Sequence, residues 1–374
     1  MKIAIVSPEF PPEKGGIQTY GFEFAQELAS RGHDVTVFTC PHAGGELDDT
    51  RFRIEPLLQL RRRLDRRILR HGPFDVWHAM NASCAWLALE TPRVFVTVHG
   101  NDFLWPYQPV ARLDLRERFH LPFGSGADRW LGDRLTRALV KRALPRASHI
   151  FTNSQYTREI FLRNHPQCRD KTTAAMVGVS QVYFSKARPP RLPGPPRLLT
   201  VCRLAEPHKN VHIVLQAFAR LRTDFDFHYT VVGDGYLRPS LEKLTEESGL
   251  RDRVTFTGFV DAAELHPLLL TSDLFILTTS ATPIAYEGFG IVYIEAAACG
   301  LPVLAARIAG AAEAVQDGVS GMFVEEVTTE AVESRLRHFL SGGARFASNA
   351  CMKFASAFTW GSVVDHCLEC YQSH

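Results

Sequence analysis

A chain of 374 residues, 45% hydrophobic and 22% charged, is long enough for two cores and too apolar for extended disorder. Its net charge of +2 argues against a dedicated nucleic-acid binder, and no uncharged apolar run approaches the roughly 20 residues that cross a bilayer. Eight scattered cysteines read as reduced thiols, and Met1–Val6 reads as a buried strand and not a signal peptide, so the expected location is cytoplasmic, at most peripheral at the inner face of the membrane.

In chain order, a strand at Lys2–Val6 runs into a Pro/Gly-rich loop ending in Gly15-Gly16. A helix follows, with Ile17, Tyr20, Phe24 and Leu28 at spacings of three and four, and Gly32 is placed to stop it. Asp34–Thr39 is β-branched and extended. Strand, loop, helix, strand is a βαβ unit, so a parallel sheet starts here. Further strands are expected at Val76–His78, Val94–Val98 and His149–Thr152. The run from Arg188 through Pro189, Pro190, Pro193, Pro195 and Pro196 excludes a helix or central strand and reads as a linker.

Past it the alternation restarts. Strands are expected at Arg197–Val201, His228–Val232, Val254–Thr257, Leu274–Leu277 and Pro302–Ala305. Helices are expected at Val211–Leu221, Pro239–Ser248, Ala262–Leu270 and Ile291–Ala298. The fold class is therefore α/β, with two Rossmann-like doubly wound domains: 1–188, and 189–357, the first joined by a terminal helix at about 358–374.

Ligands of open α/β sheets bind where strands end and helices begin. The richest such place is Glu287-Gly288-Phe289-Gly290-Ile291-Val292-Tyr293-Ile294-Glu295. Two glycines let the backbone approach a ligand, and the helix start aims free N–H groups and its positive dipole at an anion such as a diphosphate. Glu287 and Glu295 can accept hydrogen bonds from sugar and ribose hydroxyls. Arg203 and Lys209, after the strand ending at Val201, can neutralise a diphosphate leaving group, although such a pair alone is commonly a solvated surface pair. Gly15-Gly16 offers a second, weaker backbone cradle.

Taken together these blocks resemble the retaining glycosyltransferases of family 4, with the GT-B fold of two Rossmann-like domains across a cleft. The resemblance rests on Pro11-Pro12-x-x-Gly15-Gly16, Thr97-Val98-His99-Gly100-Asn101-Asp102, Arg203-Leu204 with Lys209, Val231–Gly235, Val254–Val260, and Glu287-x7-Glu295 followed by Cys299–Val303. It implies that Gly16 gives an N–H toward the donor phosphate and that His99 lies by the donor sugar. It places Arg203 and Lys209 on the diphosphate, Glu287 with the amides of Gly288, Phe289, Gly290, Ile291 and Val292 on sugar and phosphates, and Glu295 on the ribose. Gly233 belongs to the same donor-binding set, and backbone near Val260 meets the base. The chain departs from the family pattern at Val177-Gly178-Val179-Ser180, at Cys202 and at Asn210, where the usual residues are Asn-Gly-Val-Asp, Gly and Gly.

The function so implied is transfer of a hexose-type sugar from a UDP- or GDP-sugar to an acceptor hydroxyl, with no cofactor beyond that co-substrate. Acceptor contacts fall on N-terminal loops, at Asn101, Asp102, Trp105 and Tyr107, and the acceptor is a glycan, a lipid-linked sugar or a small metabolite. A nucleotide-sugar epimerase of the same fold is the alternative. A dehydrogenase would need a Gly fingerprint that Arg238 interrupts, and a scaffold has no need of both glutamates. Asp224-Phe225-Asp226 is the only Asp-x-Asp and sits away from the Gly clusters, so no metal is expected. The arginines at 61–70 are either a solvated face or a contact for an anionic membrane or a phosphate-bearing acceptor.

Overall fold

The computed structural model describes residues 1–12, 15–41, 50–100, 102–105, 125–184, 188–191, 193–282 and 285–374. The chain divides into two compact units, Met1–Gly178 with Trp360–His374, and Val179–Thr359. The strands are β1 (Lys2–Val6), β2 (Asp34–Phe38), β3 (Arg53–Glu55), β4 (Val76–Ala79), β5 (Val94–Val98), β6 (His149–Thr152) and β7 (Thr172–Ala174) in the first unit. The second holds β8 (Arg197–Val201), β9 (His228–Val232), β10 (Val254–Gly258), β11 (Leu274–Leu277), β12 (Val303–Ala306) and β13 (Gly321–Val324). The α-helices are α1 (Gly16–Ser30), α2 (Arg62–Asp65), α3 (Ser125–Ala143), α4 (Gln155–Asn164), α5 (Val211–Leu221) and α6 (Arg238–Glu247). They continue with α7 (Ala262–Thr271), α8 (Ile291–Ala298), α9 (Thr329–Leu340), α10 (Ser348–Ala355) and α11 (Trp360–Ser373).

Both sheets are wholly parallel, in the orders β3-β2-β1-β4-β5-β6-β7 and β10-β9-β8-β11-β12-β13. Parallel sheets are covered on both faces, which is why β1, β4, β5 and β11 are mostly apolar and are buried along almost their whole length. Strand order reverses between β1 and β4 in one sheet and between β8 and β11 in the other. Those reversals open the crevices in which doubly wound sheets hold ligands. The expected strands and helices form with ends shifted by two residues at most. The edge strands β3, β7 and β13, only three or four residues long, give too little pattern to be read in advance.

The division between units differs from the expected 188/189. Residues 179–184 and Arg188 pack into the second unit: Val179 N–H donates to Phe358 O at 3.1 Å, the Tyr183 ring meets His266 at 5.8 Å, and Arg188 donates to the carbonyls of Leu269 (3.2 Å) and Cys299 (3.3 Å). The prolines thus lie inside the second unit's first stretch and not at its border. The return to the first unit begins at Trp360 and not at 358.

Helix α11 docks through specific polar bonds as well as apolar burial. The Trp360 ring stands edge-on to Tyr20 at 4.9 Å, and Arg31 pairs with Asp365 and donates to Gly361 O. At the far end Tyr371, fully buried, bonds His78 Nδ1, while His78 Nε2 meets Thr97 Oγ1 at 2.8 Å. Both ring nitrogens of a buried histidine are therefore satisfied, one of them from the last turn of the chain. Removing one partner leaves a desolvated polar atom, which costs about 1–3 kcal/mol. Tyr371→Phe is accordingly expected to lower the urea midpoint of the first unit with an unchanged slope. A midpoint equal to the parent's would show that the bond contributes nothing.

Candidate active site

In the second unit, the loops after β8 and β11 flank the switch point and carry the groups singled out in the sequence. Arg203 is exposed just past β8. The turn Pro207–Lys209 then lifts the chain into α5 through Asn210, whose backbone is left-handed at φ 56°. Asparagine tolerates that region better than other side chains bearing a Cβ, so it can stand where the family has glycine. Its Nδ2 donates to Thr278 O at 2.8 Å, and Ser280 N–H donates to His208 O at 2.8 Å, tying the β8 and β11 loops together.

Across that tie Lys209 Nζ lies 2.6 Å from Glu287 Oε2 and 3.4 Å from Glu206 Oε2; the Lys209 and Glu287 side chains are only 13% and 14% exposed. Burial alone lowers the basicity of Lys209, but Glu287 and Glu206 outweigh it and hold the ammonium above its ordinary range. The pair places one positive and one negative group at the mouth of an amide-rich helix start. Helix α8 begins after Gly290 (φ 85°), where a Cβ would sit 2.4 Å from the Tyr293 ring, so only glycine fits. Tyr293 anchors the arrangement by donating to Leu277 O at 2.9 Å.

Sequence reasoning missed the floor of this loop. Gly310 N–H donates to Glu287 O at 3.0 Å, and a Cβ there would come within 2.2 Å of Gly288 O. The signal available was a glycine shortly after β12, at the same strand-end level. The buried hydroxyl of Thr278 was missed too; it lacks a hydrogen-bond partner among the described residues. Phe289 is buried, Gly288, Ile291 and Val292 are half-buried, and Glu295 is almost wholly covered one turn into α8. Gly233 follows β9, with its N–H on Gly258 O at 2.8 Å, and Val260 follows β10, so both stand at the same edge of the sheet. The Asp-x-Asp carboxylates are engaged elsewhere, Asp224 with Arg337 (2.7 Å) and Asp226 near Arg253 (3.9 Å).

In the first unit Gly15 precedes α1 and Gly16 opens it, with open space around the Gly16 Cα. His99 ends β5 and is buried, edge-on to Tyr20 at 4.8 Å. Burial pushes its pKa down to about 4 although its ring also bonds the Met80 carbonyl. Its Nε2 has no partner among the described residues, so a neutral imidazole presents one open nitrogen. Asp102, expected at the acceptor, has a structural role instead. It is fully buried, and its two oxygens accept from His99 N–H (3.0 Å) and Ala82 N–H (2.9 Å). Burial raises its pKa to about 7 against the pull of those amides. The carboxylate pins the His99 loop. Trp105 is 47% exposed in the same loop, while Asn101 and Tyr107 lie outside the described residues.

The Arg61–Arg70 stretch is only partly a free basic face. Arg62 and Arg66 hold Glu90 at 2.5 and 2.7 Å, Arg67 donates to Leu57 O, and buried Asp65 caps the turn through the amides of Gln59 and Arg61. Among the described residues, no helix is long and apolar enough to cross a membrane.

Two family descriptions match the chain: Glycosyltransferase Family 4 over residues 14–179 and Glycosyl transferases group 1 over 184–355. The GDP-mannose-dependent alpha-(1-6)-phosphatidylinositol monomannoside mannosyltransferase of Mycobacterium tuberculosis is 30% identical over 363 residues, covering 91% of this chain and 89% of that protein. D-inositol 3-phosphate glycosyltransferase of Mycobacterium bovis is 27% identical over 405 residues, covering 96% and 79%. Among solved structures, sucrose-phosphate synthase from Thermosynechococcus elongatus superposes with a TM-score of 0.77 at 20% identity, covering 100% and 98%. Anabaena HepE in complex with UDP and glucose gives 0.71 at 20%, covering both chains fully. The likeness establishes a GT-B fold.

Acid should unfold the first unit. His78, His99, His149 and His165 are buried with pKa values pushed down, chiefly by burial, to about 3, 4, 4 and 4. A depressed histidine contributes stability that is full above its unfolded pKa near 6.5 and lost as pH falls through the folded value. Asp102 and Asp65, both raised by burial, have the opposite sign, losing stability as pH rises from their unfolded values, but they are two carboxyl groups against four histidines. Urea denaturation followed from pH 7 to pH 4.5 is expected to show a steady loss of stability that His149→Gln reduces. A flat profile would contradict the buried, neutral histidines.

Proposed function

Because the chain belongs to glycosyltransferase family 4, we propose that it transfers a hexose-type sugar from a UDP- or GDP-sugar to an acceptor hydroxyl with retention of configuration and without a metal or cofactor. The observation that carries this reading is the Lys209–Glu287 pair at the amide-rich start of α8. A donor diphosphate brings the anion that Lys209 prefers and frees Glu287 for a sugar hydroxyl. Lys209, Arg203 and the first amides of α8 then take the charge that develops as the bond from the anomeric carbon to the phosphate oxygen breaks. The buried Lys209 and the exposed Arg203 together supply the positive charge that a divalent ion supplies in other transferases.

The acceptor oxygen attacks the same face, and its proton passes to the departing phosphate oxygen. Asp102 supports this route over a covalent one, since both its oxygens are committed to amides. His99 supplies a neutral ring nitrogen to a substrate hydroxyl. Gly16, at the start of α1, adds a backbone N–H for phosphate. Glu295 and the backbone at Gly233 and Val260 serve ribose and base.

For the acceptor, the two curated relatives reported above share a phosphorylated inositol in their names, one of them within a phospholipid. A phosphate-bearing polyol, lipid-linked or soluble, is therefore the acceptor class we propose. Arg63 and Arg70, exposed and without an ion pair among the described residues, flank the exposed Leu64 and offer a contact for an anionic bilayer.

Assay of a nucleotide-sugar panel that includes GDP-mannose, with phosphorylated inositol acceptors and in EDTA, is expected to show transfer with retained configuration. Arg203→Ala and Lys209→Ala should each lower it by about two orders of magnitude or more. Complete loss in EDTA with rescue by Mn²⁺ would overturn the metal-free reading, and full turnover of both variants would overturn the leaving-group roles.

Each arginine near an anionic surface is worth about 1 kcal/mol. The protein is expected to co-sediment with anionic vesicles at low salt, release at high salt, and bind several-fold more weakly after Arg63→Ser with Arg70→Ser. Failure of the parent to bind at low salt would end the membrane reading.

A further inference from the structure

Two exposed tryptophans of the first unit each carry an arginine on the ring. The Arg137 guanidinium carbon lies 4.7 Å from the centre of a Trp105 ring, and that of Arg134 lies 5.4 Å from Trp130. Positions 130, 134, 137 and 141 recur at intervals of four, three and four along α3 and so share one face, with Lys141 the last of them. The opposite face is buried at Thr136, Val140 and Ala143.

This stripe differs from several other helix arginines of the chain. Arg31, Arg238 and Arg337 each pair with a glutamate one turn away. Asp133 stands one turn before Arg137, yet the two form no ion pair. Among the described residues, no carboxylate pairs with Arg134, Arg137 or Lys141. The guanidinium of Arg137 rests instead on an indole.

Stacking occupies the flat face of a guanidinium and leaves its in-plane N–H fork open, the edge that matches the oxygens of a phosphate. It also holds a long side chain in one place before any ligand arrives, which reduces the entropy lost on binding. The loop that supplies the indole is itself held. Asp102 grips two amides, and Phe103 is buried against the rings of Phe161 (5.1 Å) and His165 (6.0 Å). Trp105 follows two residues later, on the loop that begins at His99.

We propose that Arg137, held on Trp105, binds the phosphate of the acceptor and so selects phosphate-bearing polyols over neutral ones. The proposal rests on the acceptor reading given above and adds the residue that enforces it. Arg134 and Lys141, on the same face, extend the positive field along which such an acceptor arrives.

Titration calorimetry with inositol 3-phosphate and with myo-inositol tests it. Phosphatidylcholine vesicles with and without phosphatidylinositol provide a second arm that separates a soluble from a lipid-borne phosphate. The parent protein should bind at least one phosphate ligand tenfold or more tightly over its neutral counterpart. Arg137→Gln should erase that preference, Arg137→Lys should retain part of it, and affinity for UDP or GDP serves as the control for folding. In turnover, Arg137→Gln should raise the acceptor KM about tenfold or more. A preference that survives Arg137→Gln overturns the assignment and leaves the acceptor class standing. A parent that prefers neither phosphate ligand overturns both.

Discussion

The ion pair between Lys209 and Glu287 is the interaction on which the second unit's site depends. Two charges that are more than four-fifths buried are stable only while each has a partner, because an unpaired charge in such a place costs several kcal/mol. That requirement fixes the β8 and β11 loops at the switch point, which the Asn210 side chain on Thr278 O and the Ser280 N–H on His208 O also tie together. It also gives the site its ligand preference. Only a group that replaces the carboxylate with an equal or greater negative charge can part the pair without leaving Lys209 uncompensated, and the diphosphate proposed above is such a group, with the amides of α8 open to its remaining oxygens. The opposite exchange, in which Glu287 turns to hydroxyls, needs only polar partners.

The two units use contrary electrostatics. Around β4 and β5 the first unit buries neutral histidines and the carboxyl group of Asp102, whose two oxygens accept amides and whose pKa burial raises to about 7, so the His99 ring itself is uncharged near neutrality. The second unit gathers cations and carboxylates at strand ends. A neutral acceptor nitrogen in one unit and a charged anion site in the other suit the two halves of glycosyl transfer. A hydroxyl needs a hydrogen-bond partner that does not protonate it, and a leaving diphosphate needs positive charge.

Much of this was legible because buried parallel strands and amphipathic helices leave strong patterns. The strand β5 and the helix α8 can be read directly, and so can the glycine before α8. What escaped was whatever depends on neighbours distant in sequence. Gly310 matters because its backbone lies under Gly288, a contact no local pattern encodes. Asp102 looks like a substrate ligand in the Thr-Val-His-Gly-x-Asp block, and only the two amides around it show a brace. The unit boundary was misplaced because prolines signal irregular backbone and not which core the backbone packs on. Residues 179–184 and Arg188 have no regular periodicity and are assigned by their bonds to Cys299, Leu269 and Phe358. Asn210 shows the reverse: an apparent departure from the family pattern that the left-handed backbone makes conservative.

The arginines show why composition alone misplaces a binding surface. The densest run, at 61–70, draws the eye, yet three of its members hold Glu90 and a backbone carbonyl, so part of that charge stabilises the fold. The sparser set on α3 is neutralised by no described carboxylate and is ordered by indoles. Pairing and preorganisation, more than count, set how much of a cation's charge remains for a ligand. By that measure the α3 set keeps charge available beside Trp105, on the loop that starts at His99, and under the acceptor reading proposed above this charge favours an anionic acceptor.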